Sequence, residues 1–372
     1  MLKKISNANV LMNSFLEAKK SCIWKNSVQE YEINFLKNIR HTQIELRSKS
    51  YKQEPFYNFF LNERGKERYI RAICFYDRVV QRTLCDFLLP KVTTYLIYDN
   101  GASLKGKGIT FTRKRLENHL HKFYRKYKDN GYILLIDFKK FYDNICHQQL
   151  IKMYEKILFD DDILELINHL INTFSIDISN YNISENEVFD SLKYGKINPL
   201  KNNKKFLHKS LGIGSQLSQI SGIYYPTEID NYCKIVKQMK YYGRYMDDIY
   251  IINSDRNTLQ KLLYEIEFIC NKYGIFINHN KTQILKLDRG FTFLKIRYRF
   301  NETGHLIRIP VKDNFIREKR KLKSLKKMLD NGEIDIHLIK EQYKSWKGNM
   351  KKYDCHKIII CIDKLFKDLF IN

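Results

Sequence analysis

The sequence predicts an α+β fold in two or three lobes, and three observations carry that prediction. The chain has 372 residues, 44% of them hydrophobic and 14% aromatic, which is more than one compact core usually takes. Residues 132–137, Tyr-Ile-Leu-Leu-Ile-Asp, are a short continuous apolar run, the pattern of a strand buried on both faces. Residues 311–372 change period: Phe315, Leu322, Leu325, Met328 and Leu329 recur near helical spacing with Lys and Arg between them.

The elements follow in order. Residues 1–60 read as mixed helix with basic-aromatic patches around Lys19-Lys20 and Lys25. Lys66 to Ile73 reads as part of a strand pair. Asp77-Arg78 opens a helix with Val79, Val80, Leu84, Phe87 and Leu88 for its buried face. Ser103-Leu104-Lys105-Gly106-Lys107-Gly108 is a basic loop, and Thr112 to Leu120 is a helix with a basic face. The strand at 132–137 ends in Asp137 and turns into a helix that Asp143 could cap. Asp177 to Lys209, rich in Asn, Ser and Lys, reads as a long loop or insertion. Residues 241–252 read as strand–turn–strand. In the last segment Asp330-Asn331-Gly332 breaks the first helix. A second helix carries Leu338, Ile339, Tyr343 and Trp346, and a third spans about 355–370.

The turn of the 241–252 unit holds the best functional clue. Residues 244–248 read Arg-Tyr-Met-Asp-Asp, with Tyr241-Tyr242-Gly243 before them and Ile249-Tyr250-Ile251-Ile252 after. Adjacent carboxylates raise each other's pKa, and a divalent metal is the usual remedy. An isolated Asp-Asp is most often a solvated turn. Here a second strand ends in Asp137, and if the two lie side by side then Asp137, Asp247 and Asp248 meet at one sheet edge. Three carboxylates there suit two Mg²⁺ roughly 3.5–4 Å apart, as in in-line phosphoryl displacement.

Charge agrees with this. Lys plus Arg number 66 against 41 Asp plus Glu, a net charge of +25. Such an excess favours a polyanion partner, although an A/T-rich genome also inflates Lys, Asn, Ile and Tyr. Eight Cys are scattered without a CxxC pair, and Cys355-His356 has no second ligand pair at zinc spacing. Buried thiols in a reducing cytoplasm are the expectation. Neither a signal peptide nor a segment apolar enough to span a membrane is read from the sequence, so no membrane partner is expected.

At these residues the chain resembles a reverse transcriptase. Tyr245-Met246-Asp247-Asp248 matches the family's most diagnostic motif, and Arg244 fits its bacterial form. Asp137 through Tyr142 matches the first palm motif, an Asp followed five residues later by an aromatic. The segment Ser210 to Gln219 resembles the glycine-rich palm segment through Gly214 and Ser218-Gln219, with Gly212 where Pro is usual and Ile213 where many relatives carry Gln. Asn278-His279-Asn280-Lys281-Thr282 resembles the motif whose Lys assists pyrophosphate departure. Phe291-Thr292-Phe293-Leu294-Lys295 resembles the primer grip. Lys66 to Ile73, Asp77 to Arg82 and the Ser103–Gly108 loop resemble the fingers of bacterial members. The resemblance covers roughly residues 60–300, with the motifs in family order.

The resemblance implies a right-hand polymerase. Residues 1–60 would be an N-terminal extension and the start of the fingers, 61–130 the fingers, 131–300 the palm with its primer-grip hairpin, and 301–372 a helical thumb lying along a duplex. Asp137, Asp247 and Asp248, with the carbonyl of Phe138, would hold two Mg²⁺, with Mn²⁺ as a substitute. Lys281 would be a general acid. Arg68 would contact the nucleotide phosphates bidentately, with Lys66 and Arg71 as rivals. Tyr142 would be the steric gate that rejects a 2′-OH, and Gly214 and Gln219 would line the nucleotide site. Lys105, Lys107, Arg113, Arg115, Arg244 and Leu294 would contact nucleic acid.

The implied partners are an RNA template, a DNA product and dNTPs. Fingers like those of the defence-associated and diversity-generating groups favour an anti-phage enzyme copying a dedicated non-coding RNA. No Val-Thr-Gly motif of retron thumbs follows residue 300, and no RNase H or endonuclease domain is expected. A homo-oligomer is compatible with the sequence. The alternatives are untemplated or protein-primed synthesis by the same palm and a diversity-generating retroelement enzyme, and an RNA-binding palm without activity ranks last.

Overall fold

The computed structural model describes residues 2–63, 65–177, 197–199 and 205–371. Strands β1 (Tyr57–Glu63) and β2 (Lys66–Ala72) form an antiparallel hairpin, with Phe60 opposite Tyr69 and Leu61 opposite Arg68. Then come β3 (Tyr132–Asp137), β4 (Ile176–Asp177), β5 (Ile197–Pro199), β6 (Lys205–Leu207), β7 (Tyr241–Tyr245), β8 (Asp248–Asn253) and β9 (Gln283–Lys286). The last three strands are β10 (Phe291–Phe293), β11 (Ile296–Phe300) and β12 (Leu306–Pro310). The sheet that positions the site runs β7-β8-β3-β9, every pair antiparallel. In the stretch expected as a long loop, Asp177 to Lys209, β4 ends at Asp177 and pairs with β6, which with β5 lies inside that stretch; most of the rest of it lies outside the described residues.

β3 and β8 sit at the centre of this sheet because both faces of each are covered. Leu134 and Ile136 pack into one core with Ile249, Ile251 and residues of the helices His147–Glu155, Asp161–Asn172, Gln216–Tyr224 and Arg256–Tyr273. Ile133, Tyr250 and Ile252 point the other way, into a second core with Leu116, Leu120 and Phe123 of the helix Ile109–Tyr127 and with the β10-β11-β12 sheet. A strand with period-2 side chains and no polar face is what that double burial requires.

Several boundaries differ from the sequence expectation. The first hairpin begins at Tyr57, so it crosses the division expected at residue 60. The Ile109–Tyr127 helix packs on the central sheet rather than on the hairpin. β12 pairs with β11 along its whole length, so that sheet runs to Pro310 and the helical lobe starts at Lys312, not at 301. The helix expected from Asp77 starts at Phe75. Asp77 is instead buried inside its first turn, accepting hydrogen bonds from the Tyr51 hydroxyl and the Glu54 amide. Asp143 does not cap its helix: Lys140 precedes Phe141–Asn144 in the left-handed region at φ 46°.

The C-terminal lobe holds the helices Lys312–Asp330, Ile336–Met350 and His356–Phe370. Phe315, Leu322, Leu325, Ile339, Tyr343, Ile359, Ile362 and Phe366 pack into its own core. The first helix stops where Gly332 takes φ 73°, a conformation that glycine adopts without strain. No helix among the described residues is long and apolar enough to cross a membrane.

Candidate active site

The two acidic strand ends meet. Tyr245 pairs with Asp248 across β7 and β8, which leaves Met246 and Asp247 as a two-residue hairpin turn. Met246 sits at φ 54°, the positive φ that tight hairpin turns demand. On the other side of β8, Asp248 is the register partner of Asp137 on β3. Like charges directly opposite across strands are destabilising, so the sheet holds two carboxylates against their repulsion. Burial pushes the Asp247 carboxyl above the usual carboxylate range, and the Asp137 charge adds to that; Lys281 and Arg68 act in the opposite direction.

Beyond Asp137 the chain runs beside residues 276–278. The Lys139 amide donates to the Phe276 carbonyl, the Asn278 amide donates to the Asp137 carbonyl, and Phe138 bridges to Ile277. This pairing delivers two donors to Asp137. Lys281 Nζ lies 3.1 Å from both carboxylate oxygens, and Asn278 Nδ2 donates to Oδ2 at 2.9 Å. The sequence singles out Lys281 and marks Asn278 only as the start of its motif; only the 276–278 pairing with β3 shows that the Asn278 side chain reaches the carboxylate.

Arg244 requires a correction. Expected to contact nucleic acid, it is 0% exposed and paired with Asp230, also 0% exposed. Its Nε donates to Asp230 Oδ1 and Oδ2 at 2.9 and 3.0 Å, and Nη2 donates to Oδ2 at 2.7 Å and to the Ile223 carbonyl at 2.8 Å. Nη1 donates to the Met246 carbonyl at 3.0 Å, inside the acidic turn. Tyr242 donates its hydroxyl to Asp230 as well. Arg244 therefore anchors the turn from beneath. Asp230 carries no sequence signal, since an Asp within a helix start is ordinary.

Of the nucleotide-side candidates, Arg68 and Tyr142 reach the acidic turn. Arg68 lies on β2 opposite Leu61, half-exposed and ion-paired with Glu63 at 3.4 Å, close enough for its charge to act on Asp247. Its rival Arg71 is removed: the guanidinium donates to the Phe174 carbonyl at 2.7 Å and lies over the Phe56 ring. Ile70 bridges to Ile213, which ties the hairpin to the glycine-rich segment. Gly214 takes φ 122° there, and Ser215 caps the following helix by accepting from the Ser218 amide. Gln219 is exposed on that helix. Tyr142 is half-buried, its hydroxyl 3.8 Å from Met246 Sδ.

Most of the basic residues expected on nucleic acid turn inward. Lys107 donates to the Tyr98 and Asn100 carbonyls at 2.7 and 3.1 Å. Arg115 binds Asp99 at 2.6 Å and covers the Tyr98 ring. Arg113 donates to the Tyr353 hydroxyl and to the Leu294 carbonyl. That last bond fixes the turn between β10 and β11, where Leu294 and Lys295 take φ 45° and 65° and Leu294 packs on the second core. These three side chains hold the fold together and do not form a nucleic-acid face. Lys105 is exposed.

The donor set can be tested against a metal. Asp137, Asp247 and Asp248 offer hard carboxylate oxygens and no sulfur or imidazole, which suits Mg²⁺ or Mn²⁺. Among the described residues no three acidic, His or Cys side chains are gathered closely enough to hold an ion alone. Mg²⁺ binds elsewhere through one or two carboxylates plus water and substrate phosphates. Lys281 meanwhile supplies the positive charge at Asp137.

Comparison with known proteins places this arrangement. No curated protein matches the chain. Among solved structures, the telomerase of Candida tropicalis truncated from its C-terminal domain is similar at 16% identity and TM-score 0.47, covering 68% of this chain and 55% of that one. Telomerase from Candida albicans in complex with a TWJ fragment of telomeric RNA is similar at 13% identity and TM-score 0.48, covering 86% and 59%. The chain thus spans a little over half the length of these structures. Residues 52–298 match the family model described as reverse transcriptase (RNA-dependent DNA polymerase), which holds all three carboxylates and Lys281. Members of that family work with divalent metal ions, and the α+β polymerase fold is theirs. The chain belongs to the reverse transcriptase family.

Proposed function

We propose that this chain copies RNA into DNA, adding dNTPs to a primer at the edge where β3 meets the β7–β8 turn. The observation that carries the reading is the register pairing of Asp137 with Asp248, with Asp247 in the adjoining turn. Asp137, Asp247 and the Phe138 carbonyl would hold two Mg²⁺, Asp248 being an outer ligand and Mn²⁺ a substitute. Such ions, when bound, lower the pKa of a primer 3′-OH and neutralise the triphosphate. The protein's own contribution is charge and position. Arg68 offers a planar guanidinium to phosphate oxygens. Lys281 holds a proton at Nζ beside Asp137 and is the candidate acid for the leaving pyrophosphate. Tyr142 walls the sugar side.

The narrower role we propose is a bacterial defence enzyme that copies a dedicated non-coding RNA. The sequences of the hairpin and of the Ser103–Gly108 loop support it through their resemblance to that group. Sequencing of nucleic acid that co-purifies with the wild-type chain and with Asp247→Ala/Asp248→Ala tests both levels. A discrete RNA in both and complementary DNA only with wild type is the expected result. DNA without a matching RNA would instead mean untemplated synthesis, and no DNA in either would remove the polymerase reading.

A further inference from the structure

The Tyr142 side chain lies against a gap left by a glycine. Gly222 lies in the Gln216–Tyr224 helix, where a glycine lowers helix propensity without a turn or positive φ to require it. A Cβ at Gly222 would stand 2.7 Å from the Tyr142 hydroxyl and 3.1 Å from both Cε1 and Cζ. The ring therefore rests directly on the helix backbone. On its other side the hydroxyl meets Met246 Sδ in the acidic turn. The adjacent Ser221 and Ile223 are both buried, and Ser221 bonds the Tyr154 hydroxyl while the Ile223 carbonyl accepts from Arg244. The helix is thus pinned on either side of Gly222 and has little room to back away.

We propose that Gly222 is the positioning residue for the sugar-discriminating aromatic: its missing side chain sets how deeply the Tyr142 ring is seated, and so how much space remains for the sugar of the incoming nucleotide. This rests on the polymerase reading above. Any side chain at 222 has to move the ring off the helix, towards the Met246-Asp247 turn and the nucleotide. The contact is led by the phenolic oxygen, so removing that oxygen relieves the closest approach while keeping the ring.

The test is steady-state incorporation of a dNTP and of the matching rNTP on a primed RNA template. The four proteins are wild type, Gly222→Ala, Tyr142→Phe and the double variant, each with its melting temperature. Overpacking of this kind predicts that Gly222→Ala raises the dNTP KM by about tenfold and the rNTP KM by more, with a smaller change in kcat. The double variant returns most of the way to the Tyr142→Phe values. Unchanged KM and unchanged discrimination in Gly222→Ala overturn the proposal. So does a Gly222→Ala defect that Tyr142→Phe fails to relieve, since that marks general damage to the helix. Absence of incorporation by wild type removes the polymerase reading and this inference with it.

Discussion

Arg244 and Asp230 give the sharpest test of how the acidic turn is held. Both are wholly buried, and the guanidinium directs its donors to Asp230, the Ile223 carbonyl and the Met246 carbonyl. Asp230→Asn keeps the shape and removes the charge, leaving a buried cation without its counter-ion. Breaking a buried pair from one side costs about 3–5 kcal/mol, against a total stability of roughly 5–15 kcal/mol for a folded domain. Urea unfolding should therefore show a lower midpoint with an unchanged slope. Replacing both partners, Arg244→Met/Asp230→Leu, removes the unpaired charge and should recover part of the stability, because the Tyr242 hydroxyl and the Ile223 and Met246 carbonyls lose the bonds that the pair gave them. It cannot restore the donor to the Met246 carbonyl, so incorporation should stay impaired in the double variant at temperatures where it is folded. A destabilisation below about 1 kcal/mol in Asp230→Asn would refute the anchoring argument. Full activity in the stable double variant would refute the link between the anchor and the turn.

Other consequences follow from the same geometry. Arg68→Ala should raise the dNTP KM by about ten- to a hundredfold with a smaller effect on kcat, since a charged hydrogen bond contributes about 1.5–3 kcal/mol; a Lys replacement should recover only part of it. Lys105→Ala should weaken RNA binding and make its salt dependence shallower, by about one released counterion for each phosphate that the ammonium neutralises. Lys107→Ala should instead lower the melting temperature with little change in salt slope, because its ammonium serves the Tyr98 and Asn100 carbonyls. His119 and His147 are each held down to about 4 by burial. Both are neutral when folded and protonate on unfolding near pH 6.5, so they lend stability above that pH and lose it as pH falls towards 4. Replacing His119 with Gln should flatten the acid limb of the stability curve.

The site was legible where local pattern decides structure. An apolar run ending in Asp137 and a two-residue turn between β-rich flanks are local signals, and their union at one edge needed only adjacent strands. The basic residues were illegible because their fate depends on partners far away in sequence. Arg113 reaches the Leu294 carbonyl and Tyr353, Arg115 reaches Asp99, and Arg244 reaches Asp230. No spacing rule distinguishes these from a solvated cation such as Lys105. The net charge of +25 stands as a fact about the whole chain, yet it did not say which cations face outward. The boundary between the central sheets and the helical lobe was misplaced for a similar reason: β12 is assigned by its pairing with β11, not by its own five residues.

The measurement closest to the central claim is primer extension on a defined RNA template with Mg²⁺ or Mn²⁺, comparing wild type with Asp137→Asn and Asp247→Asn. The account predicts templated DNA from wild type and a rate about a hundred- to a thousandfold lower in each variant, as expected when charge stabilisation at the reacting phosphate is removed. Asp247→Asn should retain the wild-type melting temperature or exceed it, since it relieves like-charge repulsion at the sheet edge; Asp137→Asn also gives up the Lys281 ion pair, a partly exposed one, and should stay within about 1 kcal/mol of wild type. Extension that survives either substitution in a folded protein would contradict the claim that these carboxylates form the active site.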